Sequence, residues 1–179
     1  MRYGLIGEKL GHSYSPRLHA LLGDECYALM PVMREALDAL LKKGDFDGLN
    51  VTIPYKRAVI PYCAELSQTA QKIGSVNTLV KRADGSLYGD NTDAFGFAKM
   101  AESAGIHFRA RKVLVLGSGG TSLTACHVIR EAGGEAVVVS REGENNYSHL
   151  DQHTDATVIV NATPVGMYPN VEQSPVDLS

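Results

Sequence analysis

The sequence predicts an α/β chain in two lobes, and three observations carry that prediction. Short β-rich runs alternate with helical patterns up to about residue 104. At RKVLVLG, residues 111–117, the register changes to a near-continuous apolar run, the pattern of a strand buried on both faces of a parallel sheet. Strand, helix and strand then follow in order through EAVVVS at 135–140 and ATVIVNA at 156–162, which implies a right-handed parallel unit. The boundary falls between 100 and 110, giving domains 1–105 and 106–179.

RYGLIG (2–7) reads as the first strand. Ser15-Pro16 opens a helix, serine as cap and proline in the first turn, ending near Gly23. CYALMPV (26–32) is a second strand, and MREALDALLKKG (33–44) a helix with Ala36, Leu37, Leu40 and Leu41 on one face. A strand at 49–53 is stopped by Pro54, with a helix expected after Lys56 and another from Ser67 to about Ile73. Residues 75–91 read as a hairpin turning at Asp84-Gly85, and Thr92 to about Ala104 as a helix.

Composition narrows the function. The chain has 179 residues, 44% apolar and 21% charged, enough for a core. Its net charge is −3 and its densest basic cluster is Arg109-Ala110-Arg111-Lys112, so nucleic acid is not an expected partner. No run reaches the roughly 18 apolar residues of a membrane span, and the N-terminus does not read as a signal peptide. Cys26, Cys63 and Cys126 are far apart and odd in number, which fits reduced thiols in a cytoplasmic protein. His149 and His153 lie four apart without a third ligand in register, so no metal is expected.

The strongest chemical signal is VLVLGSGGTSLTACHVIR. Gly117, Gly119 and Gly120 lie between a buried strand and a helix, where backbone can approach a pyrophosphate and the helix N-terminus favours the anion. Ser122 stands at the sixth position of the fingerprint, small enough for close packing. This is a Rossmann-like, doubly wound signature. The next strand ends Val139-Ser140-Arg141; an arginine there suits the 2′-phosphate of NADP, whereas Glu142 beside it counts toward NAD.

Six strings in one order, GHSYSPRLH (11–19), NVTIPYK (50–56), GSVNTL (74–79), GDNTDAFG (89–96), GSGG (117–120) and NATPVGMYPN (161–170), make the chain resemble the shikimate dehydrogenase family from about residue 3 to about 170. The resemblance implies an N-terminal α/β substrate-binding lobe followed by a Rossmann-like NADP lobe. The implied activity is reversible NADPH-dependent reduction of 3-dehydroshikimate to shikimate, in aromatic amino acid biosynthesis, by a monomer or homodimer. Ser13 and Ser15 would hold the substrate carboxylate. Thr52, Lys56, Asn77 and Asp93 would surround the ring hydroxyls, with Lys56 and Asp93 the catalytic pair. Gly117, Ser118, Gly119, Gly120 and Thr121 would form the phosphate turn, Ser140 and Arg141 would flank the adenosine ribose, and Thr163 would run past the cofactor. Gln68 matches loosely where relatives often carry an acid, and stays outside the catalytic set.

The chemistry agrees with those roles. Hydride reduction of a ketone leaves an alkoxide, which needs a proton and a nearby positive charge, and a lysine supplies both. Small hydroxyl and amide side chains suit a polyhydroxylated ring. Each residue also has a plain structural reading: Ser15 as a cap, Asn77 and Asn91 as turn residues, Asp93 as charge at a helix start.

Two departures from the family pattern stand out. REGENNYSHLDQHTD, after Ser140, has room for little more than a loop or one helical turn. The string NATPVGMYPN lies close to Ser179, where relatives continue with further strands and helices, so the second lobe is expected to be incomplete. The alternatives are therefore a quinate- or NAD-using dehydrogenase of the same family, or a non-catalytic ligand-binding remnant.

Overall fold

The structure is a computed structural model that describes residues 2–11, 13–23 and 26–177. His12 of the GHSYSPRLH string lies outside the described residues. Two compact units are present, one up to Thr92 and one from Asp93.

In the first unit the strands are β1 (Tyr3–Gly7), β2 (Ala28–Pro31), β3 (Gly48–Val51), β4 (Cys63–Leu66), β5 (Thr78–Lys81) and β6 (Leu87–Asp90). They form one sheet in the order β2-β1-β3-β5-β6-β4. β1 runs parallel to β2 and β3, whereas β5 is antiparallel to β3 and β6. Alternation along the strands sends Ile6, Leu49, Val51, Leu79 and Leu87 into the main core. Leu37 and Leu41 of α2 (Leu37–Lys43) pack there too. Leu5 points to the opposite face, where it meets Leu10 and Tyr27. α2 ends at Gly44, whose φ of 60° is the left-handed conformation that favours glycine. α3 (Gln68–Ile73) is capped by Ser67, whose Oγ accepts from the Ala70 N–H at 3.0 Å.

Three local expectations are corrected. α1 (Ser15–Leu21) has Tyr14 at the cap position and Ser15 as its first residue; Ser13 Oγ instead accepts from the Ser15 N–H at 3.2 Å. The helix expected from residue 33 opens as a 3₁₀ turn, Arg34–Ala36, before α2 begins. No helix follows Lys56: the chain makes tight turns to Val59, a 3₁₀ turn at Ile60–Tyr62, and then the unexpected strand β4. Pro61 has no N–H to give to the Arg57 carbonyl, so a helix opened at Lys56 cannot continue through it.

The second unit contains α4 (Asp93–Ser103), β7 (Lys112–Leu116), α5 (Gly120–Glu131), β8 (Glu135–Val139) and β9 (Val158–Asn161). Its strands form a parallel sheet in the order β8-β7-β9. Central β7 is buried on both faces, as its apolar run requires. Val113 and Val115 pack with Ala125, Cys126 and Ile129 of α5, while Leu114 and Leu116 meet Val139, Tyr147 and Leu150. α4 lies against α5, and the Phe97 and Phe108 rings stack at 5.8 Å. Between β8 and β9 runs a loop and a 3₁₀ segment, Tyr147–His153, kinked at His149.

Candidate functional site

Strand direction gathers the first group of candidate residues. β1 and β3 are parallel with Ile6 opposite Val51, so both end at the same edge of the sheet. β5 starts there, with Thr78 opposite Asn50, and β6 ends there, with Asp90 opposite Thr78. The segments carrying Ser13 and Ser15, Thr52 and Lys56, Asn77, and Thr92 therefore all leave the sheet on one side. In open α/β sheets ligands bind outside the carboxyl ends of the parallel strands, which is this side.

Backbone hydrogen bonds tie these segments to each other. Thr52 N–H donates to the Ile6 carbonyl at 2.9 Å, and Glu8 N–H to that of Ile53 at 3.3 Å. Gly7 permits this approach, since a Cβ there would lie 2.6 Å from Thr52 Cγ2 and 2.8 Å from Leu10 Cδ2. The Lys56 carbonyl accepts from the Val76 N–H at 2.7 Å, and the Asn77 carbonyl from the Val51 N–H at 2.7 Å. The half-buried Lys56 is thus fixed at the backbone beside Asn77. Ser13 and Ser15 are joined by an Oγ–Oγ hydrogen bond of 3.1 Å at the start of α1, one compact pair of hydroxyls.

Asn77 is 9% exposed and fully engaged with its surroundings. Its Nδ2 donates to Thr92 Oγ1 at 3.0 Å, and its Oδ1 accepts from the Thr92 N–H at 2.9 Å and from Thr78 Oγ1 at 3.0 Å. Asn91, buried beside it, donates through Nδ2 to the Ser75 carbonyl at 2.9 Å. Tyr27 OH donates to Asn50 Oδ1 at 2.7 Å, and Asn50 lies opposite Thr78 across the strand pair. The structure adds Thr78 and Thr92 to this group. Their signal was the recurring Asn-Thr pairs at 77–78 and 91–92 on either side of one hairpin. Asp93, half-buried, is the first residue of α4 and follows directly on Thr92.

The second group surrounds the glycine turn of the second unit. Gly117, at φ 105°, donates its N–H to the Val139 carbonyl at 2.7 Å. A Cβ at Gly117 would lie 3.1 Å from both the Ala162 carbonyl oxygen and Thr163 Cγ2. Gly119 caps α5 and a Cβ there would meet open space. The N–H groups at residues 120–122 lie in the first turn of α5, where helix geometry leaves donors without intrahelical acceptors, whereas the Leu123 N–H already donates to the Gly119 carbonyl at 3.2 Å. Ser118 and Thr121 are exposed at this turn, and Ser122 is buried beneath it. Thr163 lies across from the turn, its Oγ1 donating to Asn161 Oδ1 at 2.7 Å and accepting from the Val165 N–H at 3.1 Å. An open turn, exposed hydroxyls and a helix N-terminus suit a dinucleotide pyrophosphate. Ser140 is at the end of β8 with its N–H on the Asn145 carbonyl at 3.1 Å, and Arg141 is exposed beside it.

Among the described residues no group of His, Cys, Asp and Glu is placed to hold a metal ion. His149 Nδ1 instead meets the Glu144 carbonyl at 2.9 Å, and His153 Nε2 meets Asn145 Oδ1 at 3.1 Å. No helix among the described residues is long and apolar enough to cross a membrane.

Comparison with known proteins gives consistent findings. The family model for the shikimate dehydrogenase substrate binding domain matches residues 5–79. A shikimate dehydrogenase (NADP(+)) of Clostridium beijerinckii is 36% identical over 195 residues, covering 98% of this chain and 72% of the relative. Among solved structures, a chorismate mutase/shikimate 5-dehydrogenase fusion protein from Clostridium acetobutylicum superposes with a TM-score of 0.88 at 38% identity, covering 98% of this chain and 70% of that one. The shikimate 5-dehydrogenase of Thermus thermophilus, solved in complex with NADP(H) and shikimate, gives 0.81 at 33% identity over 99% of this chain and 73% of that one.

Proposed function

The chain belongs to the shikimate dehydrogenase family, and on that premise we propose that it catalyses the reversible NADP-dependent interconversion of 3-dehydroshikimate and shikimate. The observation that carries the reading is the convergence of Ser13, Ser15, Thr52, Lys56 and Asn77 at one end of one sheet. The unit up to Thr92 is the substrate-binding part, and the unit with the glycine turn holds the cofactor.

The roles follow from the side chains. Ser13 and Ser15 present paired hydroxyls to the substrate carboxylate. Thr52 and Asn77 offer donors and acceptors to the ring hydroxyls. Gly117, Ser118, Gly119, Gly120 and Thr121 would hold the pyrophosphate, Ser140 and Arg141 the phosphorylated ribose, and Thr163 would run past the cofactor. When bound, the nicotinamide supplies the hydride for reduction and accepts it in reverse. Lys56 gives its proton to the oxygen that becomes the alcohol, and takes it back in the oxidative direction. Asp93 orients a ring hydroxyl and balances the lysine's charge. Asp93 follows directly on Thr92, which Asn77 holds. The protein works in the cytoplasm with its thiols reduced, as a monomer or homodimer.

The test is direct. Purified chain is mixed with shikimate and NADP⁺ and the absorbance of reduced cofactor is followed, with quinate and NAD⁺ in parallel. Reduction with shikimate that is lost in Lys56→Ala supports the proposal. A folded protein that binds neither shikimate nor NADP⁺ overturns it.

A further inference from the structure

We propose that His149 and His153 are positioning residues that fix the loop presenting Arg141, and so set the preference for a phosphorylated ribose. The inference rests on the reading that Arg141 meets the 2′-phosphate of NADP.

The loop after β8 closes on itself. Ser140 donates through its backbone N–H to the Asn145 carbonyl at 3.1 Å and through Oγ to the Glu142 carbonyl. Gly143, at φ 121°, reverses the chain between them, and Ser140 pairs with Asn146 in a parallel bridge. Arg141 stands within this closed loop.

Both histidines reach the loop from outside it. The Glu144 carbonyl is only an acceptor, so His149 Nδ1 carries the proton of their 2.9 Å bond. His153 Nε2 bonds Asn145 Oδ1 at 3.1 Å. The segment that carries them is anchored to the sheet, because Tyr147 and Leu150 pack against Leu114, Leu116 and Val139. The histidines therefore transmit the position of a buried layer to an exposed loop.

His153 does this at a cost. Its Nδ1 is buried and meets no hydrogen-bond partner among the described residues, a situation that disfavours a polar ring in that place. An apolar side chain would fill the same volume without that penalty. Among the described residues the ring's one hydrogen bond is the bond to the loop.

A fixed loop matters here because of its composition. Glu142 and Glu144 lie one and three residues beyond Arg141. A loop free to rearrange could bring either carboxylate toward the phosphate, and ordering it on binding would weaken the contact. A cofactor without the phosphate has no anion there for either carboxylate to repel.

The experiment measures dissociation constants of NADPH and NADH by fluorescence titration. It uses wild type, His149→Phe, His153→Phe and the double variant, with His149→Asn and His153→Gln as rescues that restore a donor. Loss of one or two hydrogen bonds should weaken NADPH about three- to tenfold, leave NADH within about twofold, and be largely reversed by the rescues. An unchanged NADPH preference in the double variant overturns the inference, as does an equal loss for both cofactors. Arg141→Ala separates the layers: if it leaves the NADPH preference of the parent intact, the phosphate reading itself fails and the histidines have nothing to position.

Discussion

Asn77 and Thr92, 15 residues apart, hold each other through both ends of one carboxamide: Nδ2 gives to the threonine hydroxyl at 3.0 Å while Oδ1 takes the threonine N–H at 2.9 Å. The hairpin of β5 and β6 is closed by this pair at its open end, and the next residue is Asp93. Asn77→Ala should lower unfolding free energy by about 1–3 kcal/mol, since it strips a buried network of its centre. Turnover should fall with it. Thr92→Val keeps the backbone N–H and removes the hydroxyl, so its stability loss should stay within about 1 kcal/mol. Urea unfolding and steady-state kinetics check both. A destabilised Asn77→Ala enzyme with full turnover would show that the pair holds the hairpin and nothing more.

Lys56 is held by its backbone, through the carbonyl that accepts from Val76 at 2.7 Å, so truncating its side chain leaves that scaffold in place. Lys56→Met should cut kcat by about 10²- to 10⁴-fold, the range for loss of a positioned general acid. Substrate affinity by equilibrium titration should change little, because the proton is transferred in the transition state. A rise in KM at full kcat would assign Lys56 to binding instead.

How far the sequence revealed this arrangement depended on the distance over which each signal acts. β7 was legible because a strand buried on both faces leaves an uninterrupted apolar run, and the turn at Gly117 because its conformation demands glycine. α3 was legible from Ser67, a cap acting over three residues. β4 is not legible, because its partner is β6 and that pairing leaves no local periodicity in Cys63–Leu66. Beside Pro16, Ser15 has the sequence of a cap, whereas in the fold the Ser15 N–H donates to Ser13 Oγ. Candidate residues such as Ser13, Thr52 and Asn77 could be named from motifs. Their gathering at one sheet edge could not, because it depends on the antiparallel sense of β5 against a parallel β1 and β3. Strand sense is set by the whole sheet.

Gly117 combines a φ of 105° with a close approach to the Ala162 carbonyl. Gly117→Ala imposes left-handed backbone on a residue with a Cβ and places that Cβ 3.1 Å from an oxygen that cannot move freely. The expected loss is about 1–3 kcal/mol of stability, with NADPH affinity falling further than shikimate affinity, because the turn is the proposed pyrophosphate site. Calorimetric unfolding and paired titrations test this. Equal weakening of both ligands would point to general unfolding.

Lys112 and Asp155 form an ion pair of 2.8 Å at the base of the second sheet, next to the bond from the Thr157 N–H to the Lys112 carbonyl at 3.1 Å. The hydrogen bond from Lys112 holds the Asp155 carboxyl below its ordinary value of 3.8. A carboxylate depressed in the folded state binds its proton more readily when unfolded, so the pair stabilises the fold above the unfolded value. That contribution is lost as pH falls through the lower folded value. Lys112→Met should therefore be less stable than wild type from neutral pH down to about 5. The gap should narrow once pH drops below about 4, as Asp155 is protonated in both proteins. Because Asp155 is mostly exposed, the gap should also shrink in high salt. Urea midpoints for the two proteins between pH 7 and 3 make the comparison, with the remaining carboxylates cancelling. A gap that stays constant to pH 3 would mean that Lys112 stabilises the sheet through its buried stem and not through its charge.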